Sequence, residues 1–349
     1  MVDMRSKRRL QAGGQKISQA IIEPFKFKPL TQPVKLNACT MTEPSLNHVT
    51  CPDASGGHRM AYWQWGRPDS GHVVVCVHGL SRQGRDFDVL AQALCQQAEQ
   101  AAPGSGGLRV VCPDVVGRGE SDWLKDPMGY QLPAYAADML VLLAHLHARA
   151  PITTLDWVGS SMGGLIGMGV CGQPGLPLPV PVRCLVLNDV GPAIEWNAIV
   201  RIGTYLGQAG HFGSVQEAAD AMRAVSSSFG PHTPEQWLAL SRHMVKPVSQ
   251  SADSKWRLHY DPAIAVPFKL ATEASTLQGE AALWKLYDHI SARTLLIRGA
   301  LSDLLSSETA YAMTQRGPRA RLVEFEGIGH VPTLIADDQV AAVTGFLLG

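Results

Sequence analysis

Ser161 stands at the centre of Gly159-Ser160-Ser161-Met162-Gly163, a Gly-x-Ser-x-Gly pattern. An apolar run at 155–158 precedes it, and a helical run carrying Leu165, Ile166, Met168 and Val170 follows. That strand–turn–helix setting exposes a serine on a strained turn. Side chains at Gly159 or Gly163 would clash in so tight a turn, and the following helix N-terminus favours negative charge beside the serine. Ser160 would project elsewhere. A serine hydroxyl is a weak nucleophile and needs a base. His330, in Gly327-Ile328-Gly329-His330-Val331-Pro332, follows the run 320–325, and the glycines before it permit an exposed loop. The base in turn needs a carboxylate to hold its tautomer. Asp303 lies just past the run 293–297 and Asp189 just past 183–187. Both give the chain order serine, aspartate, histidine; Asp303, after the later strand, is favoured. Two backbone N–H groups would complete the constellation by binding an oxyanion: that of Met162, next to the serine, and that of Leu80, in the His78-Gly79-Leu80 loop ending the run 72–77. His78 itself reads as a structural part of that loop.

These residues must be positioned by the elements around them. Continuous apolar runs at 72–77, 108–112, 155–158, 183–187, 293–297 and 320–325 suit strands buried on both faces. Residues 59–65 alternate instead and predict an antiparallel or edge strand. Helical patterns fall near 86–101, 132–148, 162–171, 307–316 and 337–348. Strands alternating with helices predict a parallel α/β sheet. The alternation breaks over 189–293, which holds helix starts but no convincing buried strand. Ser214 followed by Glu217, and Thr233-Pro234-Glu235-Gln236, are capping signatures. A helical insertion between two strands is expected there, with 46–188 and 294–349 forming the core.

The chain has 349 residues, 46% hydrophobic and 17% charged, with 30 basic and 30 acidic residues. Zero net charge argues against a nucleic-acid partner. No apolar run is long enough to span a membrane. The balance conceals a split: residues 1–40 hold eight basic and two acidic side chains, so the head is +6 and the rest −6. Residues 1–45 are expected to be a basic, disordered extension without a part in the chemistry, with Met41 as an alternative start of translation. Seven cysteines show no Cys-x-x-Cys spacing; Cys76, Cys112 and Cys184 fall within buried-strand runs, which fits free thiols and a cytoplasmic protein. The histidine spacings suggest no metal site, and no cofactor is expected.

Taken together, His78-Gly79, the turn Asp114-Val115-Val116-Gly117-Arg118-Gly119-Glu120-Ser121-Asp122, the Gly159-x-Ser161-x-Gly163 segment, Asp303 and His330 resemble the α/β-hydrolase superfamily across roughly residues 50–349. The resemblance implies a mostly parallel, eight-stranded sheet with helices on both faces, a helical cap after the sixth strand, and cofactor-free hydrolysis. It is most similar to capped carboxylesterases, and departs from epoxide hydrolases and haloalkane dehalogenases, which carry aspartate where Ser161 stands. The expected activity is cleavage of a small-molecule or oligomeric ester through an acyl-enzyme. Carbon–carbon, thioester and amide substrates stay open, as does a non-catalytic binding role.

Overall fold

The computed structural model describes residues 43–349 apart from 54, 105, 106, 209, 252 and 253. The basic head and Met41 lie outside the described residues.

Eight strands make one sheet: β1 (Ser45–Cys51), β2 (His58–Gly66), β3 (His72–Val77), β4 (Arg109–Pro113), β5 (Thr154–Ser160), β6 (Val182–Asn188) and, after the insertion, two more, Arg293–Gly299 and Arg321–Phe325. In chain order the insertion's short strands come first, as β7 (His211–Phe212), β8 (Val245–Pro247) and β9 (Trp256–Leu258), so the last two core strands are β10 and β11. The order across the sheet is β1-β2-β4-β3-β5-β6-β10-β11. β2 runs antiparallel to both β1 and β4, and the other pairings are parallel. The alternating 59–65 segment is thus antiparallel as expected, but β1, which the sequence reading missed, takes the edge.

The central strands are solid apolar runs because both faces are covered. Val73, Val75 and Val77 of β3 point into one core with α2 (Leu132–Arg149) and α3 (Met162–Gly172), while Val74 and Cys76 point into the other with α1 (Asp88–Ala101) and α10 (Asp337–Leu348). This is the period-two alternation of a strand serving two layers.

The stretch between β6 and β10 carries α4 (Trp196–Tyr205), α5 (Val215–Val225), α6 (Pro234–Arg242), α7 (Ala265–Lys269) and α8 (Glu273–Asp288). Two of its helix starts follow the capping chemistry read from sequence. Ser214 Oγ accepts the Glu217 N–H, and Thr233 and Gln236 close a reciprocal capping box. Beside the expected helices, β7, β9 and β8 form a small antiparallel sheet. Strands of two or three residues carry too little alternation to register in sequence. The far end of the stretch packs against the core helices. α8 packs on α3: a side chain at Gly172 would collide with the Leu286 carbonyl, and fully buried Tyr287 donates to the Met313 carbonyl at 2.6 Å. α9 (Ser307–Gln315) then joins β10 to β11.

Candidate active site

The C-terminal ends of β3, β5, β6, β10 and β11 gather the reactive side chains. Ser161 links β5 to α3 with φ 50° and ψ −116°, a left-handed backbone that a residue with a side chain adopts only at a cost. The surroundings enforce it. The Ser161 N–H donates to the Asn188 carbonyl at 2.9 Å, and its own carbonyl accepts the Gly164 N–H at 2.9 Å. A Cβ at Gly159 would overlap the Gly163 carbonyl, and one at Gly163 would overlap that of Val77. Both glycines are therefore required by close backbone approach. The neighbouring Ser160 hydroxyl instead accepts from Asn188 Nδ2 at 2.9 Å; that same amide donates to the Pro332 carbonyl at 2.8 Å.

His330 lies 3.0 Å from Ser161 Oγ through Nε2 and 2.7 Å from Asp189 Oδ2 through Nδ1. A carboxylate only accepts, so the proton sits on Nδ1 and the Nε2 lone pair is free for the serine proton. Asp189 is fully buried at φ 55° and is held by two further donors, the Gly299 N–H at 2.9 Å and the Ser302 hydroxyl at 2.7 Å.

The favoured acid of the sequence reading is corrected here. Asp303 does not bond His330; its half-exposed carboxylate pairs with Arg201 of α4 at 2.6 and 2.9 Å. The loop after β10 does reach the histidine's partner, but through Ser302 and Gly299. Both aspartates follow a strand, and the sequence carries no signal for which way each loop turns.

Leu80 and Met162 both neighbour Arg118, which reaches the Leu80 carbonyl at 2.8 Å and Met162 Sδ at 3.7 Å. Met162 opens α3, so its N–H has no intrahelical acceptor. Gly79 passes so close to the serine that a Cβ there would lie 3.7 Å from the Ser161 Cβ. His78 anchors this loop. Fully buried, it donates from Nδ1 to the Gly79 carbonyl at 2.7 Å and accepts the Val115 N–H on Nε2 at 2.9 Å. Burial pushes its imidazole down to about 3, so it stays neutral and holds β3's loop to the turn after β4. In that turn Asp114 accepts the N–H groups of Gly84 at 2.7 Å and Glu120 at 2.9 Å, and burial raises its carboxyl to about 7.

The insertion meets the site through the 226–233 segment. Ser228 Oγ donates to the His330 carbonyl and the Gly329 N–H donates to the Ser228 carbonyl, both at 2.7 Å. His232 Nε2 lies 2.8 Å from Thr333 Oγ1.

Among the described residues, one group has metal-ligating types within reach of one another: buried Cys51, His58 and Asp138. Its members already satisfy each other. His58 Nε2 lies 3.0 Å from Asp138, and Asp53 takes Nδ1 at 3.1 Å. Sequence spacing gave no hint of it, because α2 brings Asp138 to the start of β2 from 80 residues away.

Comparison with known proteins agrees with this architecture. The family model described as alpha/beta hydrolase family matches residues 74–343. The 3-hydroxybutyrate-oligomer hydrolase of Cupriavidus necator is 46% identical over 306 residues, covering 88% of this chain and 98% of its own. The crystal structure of an alpha/beta hydrolase from Novosphingobium aromaticivorans superposes with a TM-score of 0.72 at 32% identity, over 88% of this chain and 99% of that one. E-2-(acetamidomethylene)succinate hydrolase shares the fold at 20% identity, with a TM-score of 0.66 over 87% of this chain and all of its own.

Proposed function

We propose that this chain, which belongs to the alpha/beta hydrolase family, is a serine esterase that cleaves oligomeric esters of short hydroxy acids. The observation that carries the reading is the relay from Ser161 through His330 to buried Asp189, at 3.0 and 2.7 Å. In the first half-reaction His330 Nε2 takes the Ser161 proton as Oγ attacks the ester carbonyl. Asp189 stabilises the resulting imidazolium without itself taking the proton. The carbonyl oxygen becomes an oxyanion received by the Leu80 and Met162 N–H groups. The imidazolium returns its proton to the departing alkoxide, leaving an acyl-serine. Water, deprotonated by the same imidazole, then releases the acid.

The hydroxy-acid class is supported by the relative that hydrolyses 3-hydroxybutyrate oligomers, at 46% identity over nearly its whole length. Each turnover would leave a carboxylate on one fragment and a hydroxyl on the other. The test is hydrolysis of short 3-hydroxybutyrate oligomers alongside labelling by a fluorophosphonate. Ser161→Ala should abolish labelling and lower turnover by about 10⁶-fold, toward the level left by binding and the oxyanion hole alone. Turnover that survives in Ser161→Ala, or a label on any other residue, sinks the assignment. A panel of thioester, amide and vinylogous diketone substrates separates the ester reading from the other bonds this triad can break.

A further inference from the structure

Arg118 is among the largest fully buried side chains of the protein, and the hydrolytic relay does not use it. Its guanidinium has hydrogen-bonding partners but, among the described residues, no carboxylate is one of them. Nε donates to the Leu80 carbonyl at 2.8 Å, Nη1 to the Val116 carbonyl at 2.7 Å and to the Tyr135 hydroxyl at 3.1 Å, and Nη2 lies 3.7 Å from Met162 Sδ. The rings of Tyr135 and Tyr130 lie 5.0 and 5.7 Å from it, at cation–π range. Burying a cation without an anion is costly. The turn that carries Arg118 is nonetheless built to keep it there. Gly117 and Gly119 flank it at φ 83° and 52°, and the Gly119 N–H donates to the His259 carbonyl at 2.9 Å.

We propose that Arg118 is a positioning residue of the oxyanion hole, clamping the peptide that follows the Leu80 N–H and placing its charge, with no carboxylate partner among the described residues, beside both donor residues. The inference rests on the assignment of Leu80 and Met162 as donors. A donor helps only if it already points where negative charge will develop. The Leu80 N–H shares its peptide plane with the Gly79 carbonyl, which His78 Nδ1 and the Arg82 N–H hold at 2.7 and 3.1 Å; Arg118 holds the next peptide through the Leu80 carbonyl, so the loop is fixed on both sides of the donor residue. The planar guanidinium spans Leu80, Val116 and Tyr135 at once; a lysine ammonium carries the charge but cannot bridge them.

The test compares Arg118→Lys and Arg118→Met with wild type on one ester substrate, each checked for an intact fold by circular dichroism and thermal melting. Removal of one oxyanion donor typically costs about 10²–10³-fold in kcat. Arg118→Met should approach that loss with KM changed less than about threefold, and Arg118→Lys should lose about tenfold. Affinity for a trifluoromethyl ketone, which forms the tetrahedral oxyanion on Ser161, should fall in proportion to kcat/KM. A merely structural role would lower the fraction of active enzyme without changing that affinity. Wild-type kcat and ketone affinity in Arg118→Lys would overturn the proposal, and that variant decides should Arg118→Met not fold. The outcomes also separate the two readings. A dead Ser161→Ala with an unaffected Arg118→Lys rejects only the role of Arg118, whereas an active Ser161→Ala rejects the reading beneath it.

Discussion

Asp189 is held by three donors, from Gly299, Ser302 and His330, and is sealed from solvent, whereas Asp303 shares an exposed ion pair with Arg201. The two carboxylates therefore differ in what their loss would do. An amide at position 189 can keep the packing but presents an N–H₂ group toward His330 Nδ1, and so selects the wrong tautomer. Asp189→Asn should lower kcat by about 10⁴-fold. Asp303→Asn removes a surface pair of the kind worth about 0–1 kcal/mol, and kcat should stay within about twofold of wild type. Steady-state kinetics on one ester substrate checks both; an inactive Asp303→Asn beside an active Asp189→Asn would reverse the assignment. At this scale the pairing of Ser161 with His330 was legible, because the serine sits between two glycines and the histidine follows two, each after an apolar run. The acid was not. Its selection depends on the left-handed backbone at Asp189 and on donors from a strand 110 residues away, neither of which leaves a local pattern. Ser302 was overlooked as the neighbour of the favoured residue.

The loops that carry the site are tied together by buried polar groups, and His78 shows how such a tie responds to pH. The unfolded chain binds a proton on this histidine at about 6.5, while the folded chain refuses it until about 3. Between those values the unfolded state holds more protons, so stability rises with pH. The contribution of His78 is complete above about 6.5 and is lost as pH falls toward 3. His78→Asn keeps one donor and one acceptor but does not titrate. Its stability deficit relative to wild type should be largest near neutral pH and should narrow steadily toward pH 4, as followed by urea unfolding. A gap that widens on acidification would contradict the neutral, buried imidazole. The core strands and helices were read well because burial on two faces writes continuous apolar runs. β1 was missed because its partly polar, one-sided pattern, with Ser45, Asn47 and His48 among seven residues, resembles a loop.

Seen as a whole, the insertion is attached in two different ways, and its halves should respond differently to mutation. Ala198, Leu206, Tyr260, Ile264 and Ala265 belong to the same apolar cluster as α2, α3 and the sheet. This half cannot detach without exposing the main core. The α5–α6 half packs outside both main clusters. Trp237 stacks on Phe229 at 6.1 Å and lies 5.2 Å from His232, and the half reaches the core through polar contacts: Ser228 to the His330 carbonyl, His232 to Thr333, and Arg82 to the Leu240 carbonyl at 3.0 Å. Leu206→Ala removes packing from the shared core and should cost about 2–5 kcal/mol, seen as a large drop in melting temperature with activity falling alongside. Trp237→Ala loosens only the half that lies against the His330 loop. Its melting temperature should change little, by less than about half the Leu206→Ala shift, because the cavity opens beside an independently packed lobe. KM for a 3-hydroxybutyrate oligomer should rise at least about fivefold, roughly the 1 kcal/mol that one lost aromatic contact is worth, while KM for a short p-nitrophenyl ester stays near wild type. Equal effects on both substrates would mean that this half closes the site without reading the length of the chain within it.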